Sequence, residues 1–382
     1  MRKAIVFVAL NLFVFTLLAQ IQMGAERINE YLPQIKNKKV ALVVNQTSIV
    51  GGQHLADFLL AKNVEVVRLM SPEHGIRGKA SAGEKDESGK DSKTGLPVVS
   101  LYGSHKKPTP EDLAGVDIVL FDIQDVGVRF YTYISTMSYV MEACAENNVK
   151  MIVLDRPNPN GHYVDGPILE EKYKSFVGMH PIPIVHGMTI GEYAQMVNGE
   201  FWLKDSVKVD LTVVPCKGYD HETFYELPIN PSPNLRTMGS IYLYPSLCFF
   251  EGTVVSVGRG TDFPFEVYGH PDLLGPFQFT PVSQEGASKP KHEGKLCKGV
   301  DLRNYSTIDG TLSVEWLVNA YAMIKNKEGF FNNFFEKLAG TDQIREDVIA
   351  GKSALEIKSA WMDDINAFKE IRKQYLLYKD FE

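Results

Sequence analysis

The first half of the chain alternates short β-branched runs with stretches whose apolar residues fall at helical spacing, and that alternation leaves few folds open. Lys-Val-Ala-Leu-Val-Val-Asn at 39–45 and Val-Glu-Val-Val-Arg-Leu-Met at 64–70 each fit a strand buried on both faces. Between them, residues 54–62 carry Leu55, Phe58 and Leu59 at helical spacing. Further strands are expected at 96–101, 116–123 and 150–154, with a helix over about 135–147 feeding the last. Strands that alternate with helices build a parallel, doubly wound sheet, so the fold class is α/β. Past about residue 205 the pattern loosens into Pro- and Gly-rich segments such as Pro-Ile-Asn-Pro-Ser-Pro at 228–233, a short apolar strand at 254–257, and late helices over 312–324 and 354–375. We expect a first lobe over residues 26–205, a smaller α+β lobe over 206–382, and a ligand cleft between them.

Ahead of the first lobe, Arg2 and Lys3 precede an apolar run at 4–19 broken only by Asn11, and the small residues Gly24 and Ala25 precede Glu26. These are the three parts of a secretory leader, residues 1–25, with cleavage expected near Ala25 and a periplasmic or secreted product. An N-terminal anchor helix is the competing reading. No later stretch is long and apolar enough to span a bilayer, so no membrane insertion is expected once the leader is gone. The formal net charge is −7, and losing Arg2 and Lys3 makes it more negative. Such a chain has no general attraction to nucleic acid or to an anionic membrane, and an acidic substrate needs a local basic cluster. The four cysteines, Cys144, Cys216, Cys248 and Cys297, form no C-x-x-C pair, and disulfides and buried free thiols are both open. The nine histidines form no H-E-x-x-H or H-x-H arrangement, so neither a metal nor another cofactor is expected. No strand leads into G-x-G-x-x-G or G-x-x-x-x-G-K-[ST], and G-x-S-x-G is absent, which disfavours nucleotide binding and serine-esterase chemistry.

Doubly wound sheets bind ligands outside the carboxyl ends of their strands. The segments there are unusually polar: Asn45 and its neighbours after the first strand, Glu73, His74 and Arg77 after the second, Asp122, Gln124, Asp125 and Arg129 after the fourth, Arg156 and Asn158 after the fifth. Glu73 stands between Pro72 and Gly75 at the end of a buried strand, where partial desolvation raises a carboxyl pKa toward what a general acid requires; a helix-start acid or an Arg77 ion-pair partner is the plainer account. Asp125 and Asp122 offer the second carboxyl, with Asp125 preferred and Asp122 also readable as a turn residue. Two carboxyls across a crevice without a metal are the equipment of glycoside hydrolysis. Tyr131 and Tyr133 can stack on a sugar ring or simply pack in the core. Arg77, Arg129, Arg156 and Arg259 are candidate local cations, each also readable as a salt-bridge partner. In the second lobe, Glu251 and Arg259 lie in Glu-Gly-Thr and Gly-Arg-Gly-Thr at the two ends of the 254–257 run, and His186 precedes a helix from 190 that Thr189 caps.

Several of these strings together resemble one family: Ser-Pro-Glu-His-Gly-Ile-Arg-Gly at 71–78, Phe-Asp-Ile-Gln-Asp-Val-Gly at 121–127 followed by Arg-Phe-Tyr-Thr-Tyr-Ile-Ser-Thr at 129–136, Leu-Asp-Arg-Pro-Asn-Pro at 154–159, His-Gly-Met-Thr at 186–189, Pro-Ser-Pro-Asn at 231–234, and the Glu251 and Arg259 strings. The order and spread resemble the DUF1343 family, whose characterised members are exo-β-N-acetylmuramidases of the NamZ type. The resemblance implies a Rossmann-like lobe with an auxiliary lobe closing the cleft, and release of N-acetylmuramic acid from non-reducing ends of peptidoglycan glycans. It places the family's proposed catalytic glutamate on Glu73 and leaves Asp125, Asp122 and Glu251 open as the second carboxyl. Arg77, Arg129 and Arg156 are then candidates to hold the lactyl carboxylate of the sugar. After Gly-Arg-Gly-Thr the chain has Asp262 and Phe263 where the family's run carries Thr-Arg, so a basic residue is missing there, and glycan preference is what that change bears on. The alternative from another class is a non-catalytic periplasmic sugar or muropeptide binding protein whose two lobes close on a ligand.

Overall fold

In the computed structural model, residues 21–72, 75–77, 89–305 and 310–382 are described. The first lobe is built on a seven-stranded sheet whose strands, in chain order, are β1 (Lys39–Val44), β2 (Glu65–Ser71), β3 (Gly89–Lys90), β4 (Pro97–Ser100), β5 (Ile118–Asp122), β6 (Lys150–Leu154) and β7 (Leu211–Val214). Across the sheet they run β3-β4-β2-β1-β5-β6-β7, parallel throughout except for the β3–β4 edge pair. The winding direction reverses between β1 and β5, which makes the carboxyl ends of those two strands the switch point of a Rossmann-ordered sheet.

Sequence explains why β1 sits centrally. Val40, Leu42 and Val44 are buried in one cluster with Tyr31 and Ile35 of α1 (Ile28–Ile35) and Leu55 and Leu59 of α2 (Leu55–Ala61). Ala41 and Val43 belong to the other, with Met137 and Val140 of α3 (Tyr133–Glu146) and Tyr193 and Val197 of α4 (Ile190–Gly199). A strand that packs on both faces has no use for polar alternation. α4 starts where expected, at a capping box in which Thr189 Oγ1 accepts from the Glu192 amide (3.3 Å) and the Glu192 carboxylate accepts from the Thr189 amide (2.8 Å).

The second lobe contains α5 (Met238–Leu247), a three-stranded antiparallel sheet of β8 (Val267–His270), β9 (Phe277–Phe279) and β10 (Cys297–Asp301) in the order β8-β10-β9, and the helices α6 (Glu315–Met323), α7 (Phe335–Ala339), α8 (Gln343–Ile349), α9 (Ala354–Ser359) and α10 (Met362–Arg372). Its core is continuous with the α3–α4 face of the first lobe: Phe249, Phe250, Phe335, Trp361 and Phe368 fall in the same cluster as Val43 and Phe121.

Three details differ from the sequence expectation. The first sheet takes β7 from beyond residue 205, because Leu211–Val214 pairs in parallel with β6. Residues 254–257 form no strand; Val254 donates to the Phe330 carbonyl and Ser256 makes an isolated bridge to Gly269. The late helix is broken into α9 and α10 at Trp361, whose buried indole N–H donates to Asp165 (3.1 Å). The four cysteines are buried free thiols. Among the described residues no helix is long and apolar enough to cross a membrane.

The segment around Gly24 and Ala25 is part of the fold. Gln22 and Lys217 exchange two backbone hydrogen bonds (2.9 and 2.8 Å), the Gly24 amide donates to the Asp155 carbonyl (2.8 Å), and the Tyr31 hydroxyl donates to the carbonyl of the buried Ala25 (2.8 Å). A Cβ on Gly24 would stand 2.3 Å from the Val214 carbonyl oxygen. The two residues are small because the ends of β6 and β7 lie against them, and a cut after Ala25 would remove this whole contact. A chain beginning at Glu26 is therefore expected to lose at least about 2 kcal/mol of unfolding free energy relative to one beginning at Gln20. Denaturant titration of the two chains checks this, and coincident midpoints would contradict it.

Candidate active site

The loops at the carboxyl ends of β1, β5 and β6 are braced against one another. Ser48 Oγ donates to the Asp122 carbonyl, and the Gln124 amide donates to Thr47 Oγ1 (3.0 Å), which joins the β1 and β5 loops. Asn45 holds its own turn, with Oδ1 accepting from the Thr47 amide (2.9 Å) and hydroxyl (2.5 Å). Gln124 Nε2 donates to the carbonyls of Asp125 (2.9 Å) and Pro157 (2.7 Å), joining the β5 and β6 loops. The strongest brace is an ion pair: Arg156 meets Asp122 through Nε (2.6 Å) and Nη2 (2.9 Å), and both side chains are buried. Asn158 sits under the same loops, donating to the Met188 carbonyl (2.8 Å) and accepting from the Asn160 amide (2.8 Å). Its amide lies where a Cβ on residue 127 would be, 2.2 Å away, so position 127 admits only glycine. Asp122, Gln124, Arg156 and Asn158 thus serve in this structure as scaffold, whereas Asn45 holds its own turn and keeps a buried Nδ2 without a partner among the described residues.

Asp125 is different. It is buried, Oδ2 accepts from the Gly127 amide (2.7 Å), and Oδ1 finds no partner among the described residues. Burial pushes its carboxyl up to about 7, partly offset by the amides of Gly127 and Val126. That is the protonation range of an acid or base working near neutrality. His186 is buried beneath α4, with Nδ1 accepting from the Met188 amide (3.2 Å); burial, reinforced by the Arg372 charge, pulls it down to about 3, so it is neutral. Glu73 and His74 lie outside the described residues, between Pro72 and Gly75 directly after β2.

Three of the four candidate cations are turned to other partners. Arg129 is buried and donates to four carbonyls, those of Pro167, Ile182, Leu338 and Ala339. Arg156 is held by Asp122. Arg77 meets Asp91 through Nε (3.0 Å) and Nη2 (2.9 Å), and this contact holds the Asp91 carboxyl well below its usual range. Arg259 lines a cavity among the described residues, joined to Glu251 by Nε at 3.2–3.3 Å.

That cavity, of about 280 Å³, lies between the carboxyl edge of the sheet and the second lobe. Its first-lobe wall includes Tyr102, residues 130–133 at the start of α3, and Phe176; its second-lobe wall includes Tyr244, Glu251, Arg259, Phe265 and Phe334. Tyr131 and Tyr133 both donate to the Pro231 carbonyl (2.9 and 3.2 Å) and meet edge to face at 4.9 Å, so packing and cavity lining are one role here. Ser232 also borders a wider opening of about 560 Å³ lined by Gln46, Asn230 and Arg236, so the two spaces adjoin. Tyr102, Phe176, Tyr244 and Phe334 are not distinguishable from core aromatics by spacing, whereas Phe130 and Thr132 in the 129–136 string, and Ser232 and Asn234 in the Pro-Ser-Pro-Asn string, carry a sequence signal. Among the described residues no group of three or more His, Cys, Asp or Glu side chains is placed to hold a metal ion.

A Rossmann-ordered sheet with braced polar loops at its switch point, closed by a second lobe over an aromatic cavity containing a carboxylate and a guanidinium, defines a two-lobed α/β protein with a small-ligand site at the lobe junction. The chain matches the family model described as exo-β-N-acetylmuramidase NamZ, N-terminal, over residues 40–239 and the corresponding C-terminal model over residues 242–378. It belongs to the NamZ family. It is 41% identical over 385 residues to the peptidoglycan β-N-acetylmuramidase NamZ of Bacillus subtilis strain 168, covering 94% of this chain and 92% of that one. Two solved DUF1343 family proteins of Bacteroides fragilis NCTC 9343 share the fold: BF0379, with TM-score 0.89 and 52% identity over 95% of this chain and 100% of that one, and BF0371, with TM-score 0.81 and 32% identity over 94% and 99%.

Asp125 gives a test of the site's electrostatics. Its folded value lies above the unfolded 3.8, so between about pH 4 and about 7 the native state keeps a proton that the unfolded chain has released. The stability it contributes is full below that window and lost as pH rises through it. Asp125→Asn is expected to flatten the fall in unfolding free energy across the window, as read from denaturant midpoints at about pH 5 and about pH 8. An unchanged pH slope would count against a desolvated, protonated Asp125.

Proposed function

We propose that this chain is an exo-acting glycoside hydrolase that releases N-acetylmuramic acid from the non-reducing ends of peptidoglycan glycan fragments, in cell-wall turnover. The observation that carries the reading is kinship along both lobes with a peptidoglycan β-N-acetylmuramidase, at 41% identity over 94% of the chain. The cavity fits it chemically: aromatic walls suit the apolar face of a sugar ring, and closure by the second lobe suits removal of one terminal residue at a time. Glu73, directly after β2, serves in this reading as general acid on the glycosidic oxygen. Asp125, poised near neutrality by burial, assists the attacking water or the substrate's own 2-acetamido group.

The test is incubation with the disaccharide of N-acetylmuramic acid β-linked to N-acetylglucosamine, following free N-acetylmuramic acid by mass spectrometry. The wild type is expected to release it, and Glu73→Gln to lose about 10²-fold or more in kcat. Equal release by the variant would move the acid to another carboxyl; binding without turnover by the wild type would favour a sugar-binding protein.

The charged start and apolar run at 2–19 support export to the periplasm or medium. Since residues 21–25 contribute to the fold, the leader is expected to be cut at or before Gln20. N-terminal sequencing of the exported protein checks this, and a first residue of Glu26 would refute it.

A further inference from the structure

We infer that Arg259 is the residue that reads the acidic group of the substrate, and that Glu251 holds it in place by one edge so that the other stays open for a carboxylate. The inference rests on the muramidase reading for the identity of the ligand, a hexosamine bearing a carboxyalkyl ether, and on the geometry of the pair for everything else. Only Arg259 Nε is engaged by Glu251, at 3.2–3.3 Å, against 2.6 and 2.9 Å in the Asp122–Arg156 pair. Its two terminal amino groups make no hydrogen bond among the described residues, and its side chain is 28% exposed where those of Arg129 and Arg156 are buried. The guanidinium carbon lies 4.9 Å from the centre of the Phe265 ring, a cation–π contact beside the Glu251 bond.

The turn that carries Arg259 is itself fixed. Thr261 returns both its amide (3.0 Å) and its hydroxyl (2.6 Å) to the Gly258 carbonyl, and the Phe265 amide donates to the Val257 carbonyl (2.8 Å). The backbone on either side of Glu251 is braced by Lys291, whose ammonium donates to the carbonyls of Phe250, Thr253 and Val255 at 2.7–3.1 Å. The pair forms part of the lining of two spaces, the aromatic cavity of about 280 Å³ and a basic one of about 520 Å³ that includes Lys289 and Lys291. A guanidinium fork matches a carboxylate with two parallel hydrogen bonds, which an uncharged ester or a hydroxyl cannot reproduce. Without Glu251 the fork would have no fixed orientation; with a tighter, two-point Glu251 contact it would have no open edge.

The experiment compares hydrolysis of the disaccharide with its lactyl carboxylate free and as the methyl ester, in the wild type, Arg259→Gln and Arg259→Lys, with calorimetric binding of N-acetylmuramic acid and N-acetylglucosamine alongside. The wild type is expected to prefer the free acid by about 10- to 100-fold in kcat/KM. Arg259→Gln, at unchanged melting temperature, should handle acid and ester alike, with the loss mainly in KM, and Arg259→Lys should recover part of the preference. A wild-type acid-to-ester ratio retained by a folded Arg259→Gln would overturn the inference. If no protein turned over either compound but N-acetylmuramic acid bound in an Arg259-dependent way, the hydrolase reading would fail while the carboxylate site stood.

Discussion

The arrangement at the switch point depends on the buried pair between Asp122 and Arg156. It joins the last residue of β5 to the second residue after β6, with both side chains out of water. Burying two opposite charges is stabilising only where their geometry is good and their remaining donors are met; removing one partner leaves a charge stranded at a cost of about 3–5 kcal/mol. Here the contact is two-pointed, and the remaining Arg156 amino group lies 3.1 Å from the Met23 sulfur. Tyr31, from α1, adds a hydroxyl whose pKa burial raises, with the Asp122 charge a further cause. The N-terminal segment thus touches the contact between β5 and β6 through Met23, in addition to the backbone bonds that hold Gln22 and Gly24 against Lys217 and Asp155.

From that contact the other braces follow. Fixing the β5 loop fixes Gln124, which ties down Pro157; fixing the β6 loop places Asn158 against Gly127, and Gly127 in turn presents its amide to Asp125. Asp125 thus has one oxygen satisfied by a rigid turn and the other left without a partner among the described residues. A half-satisfied buried carboxyl is unfavourable in its ionised form, and the rigidity of its surroundings is what sustains it. The loops contain many polar residues because most of them are needed to hold a few in a condition they would not adopt alone.

This is also where the sequence stopped being legible. The runs at 39–45, 116–123 and 150–154 declared their strands because burial on both faces leaves an unbroken apolar signature, and the Thr189 cap declared α4. β7 was hidden because it is a four-residue edge strand, only partly buried, whose pairing with β6 is a tertiary fact. The same limit governs the arginines. Arg129 ends on carbonyls more than two hundred positions away, at Leu338 and Ala339, and Arg77 on Asp91, so no local pattern separates them from Arg259. Likewise Gly24 and Ala25 satisfy a peptidase and a sheet edge equally well as letters; only the carbonyl of Val214 distinguishes the two uses.

The net charge of −7 poses a question that the site answers locally. An acidic protein repels an acidic sugar at long range, but salt limits that repulsion to about 8–10 Å, so recognition is decided by the groups in contact. Had Arg77, Arg129 and Arg156 all faced the cavity, their unpaired charges would have repelled one another in a poorly hydrated space and destabilised the empty state. Each is instead matched by a carboxylate or by carbonyls, and Arg259 is matched at one edge only. A single half-neutralised guanidinium against an aromatic wall is stable without ligand and still gains from a second carboxylate.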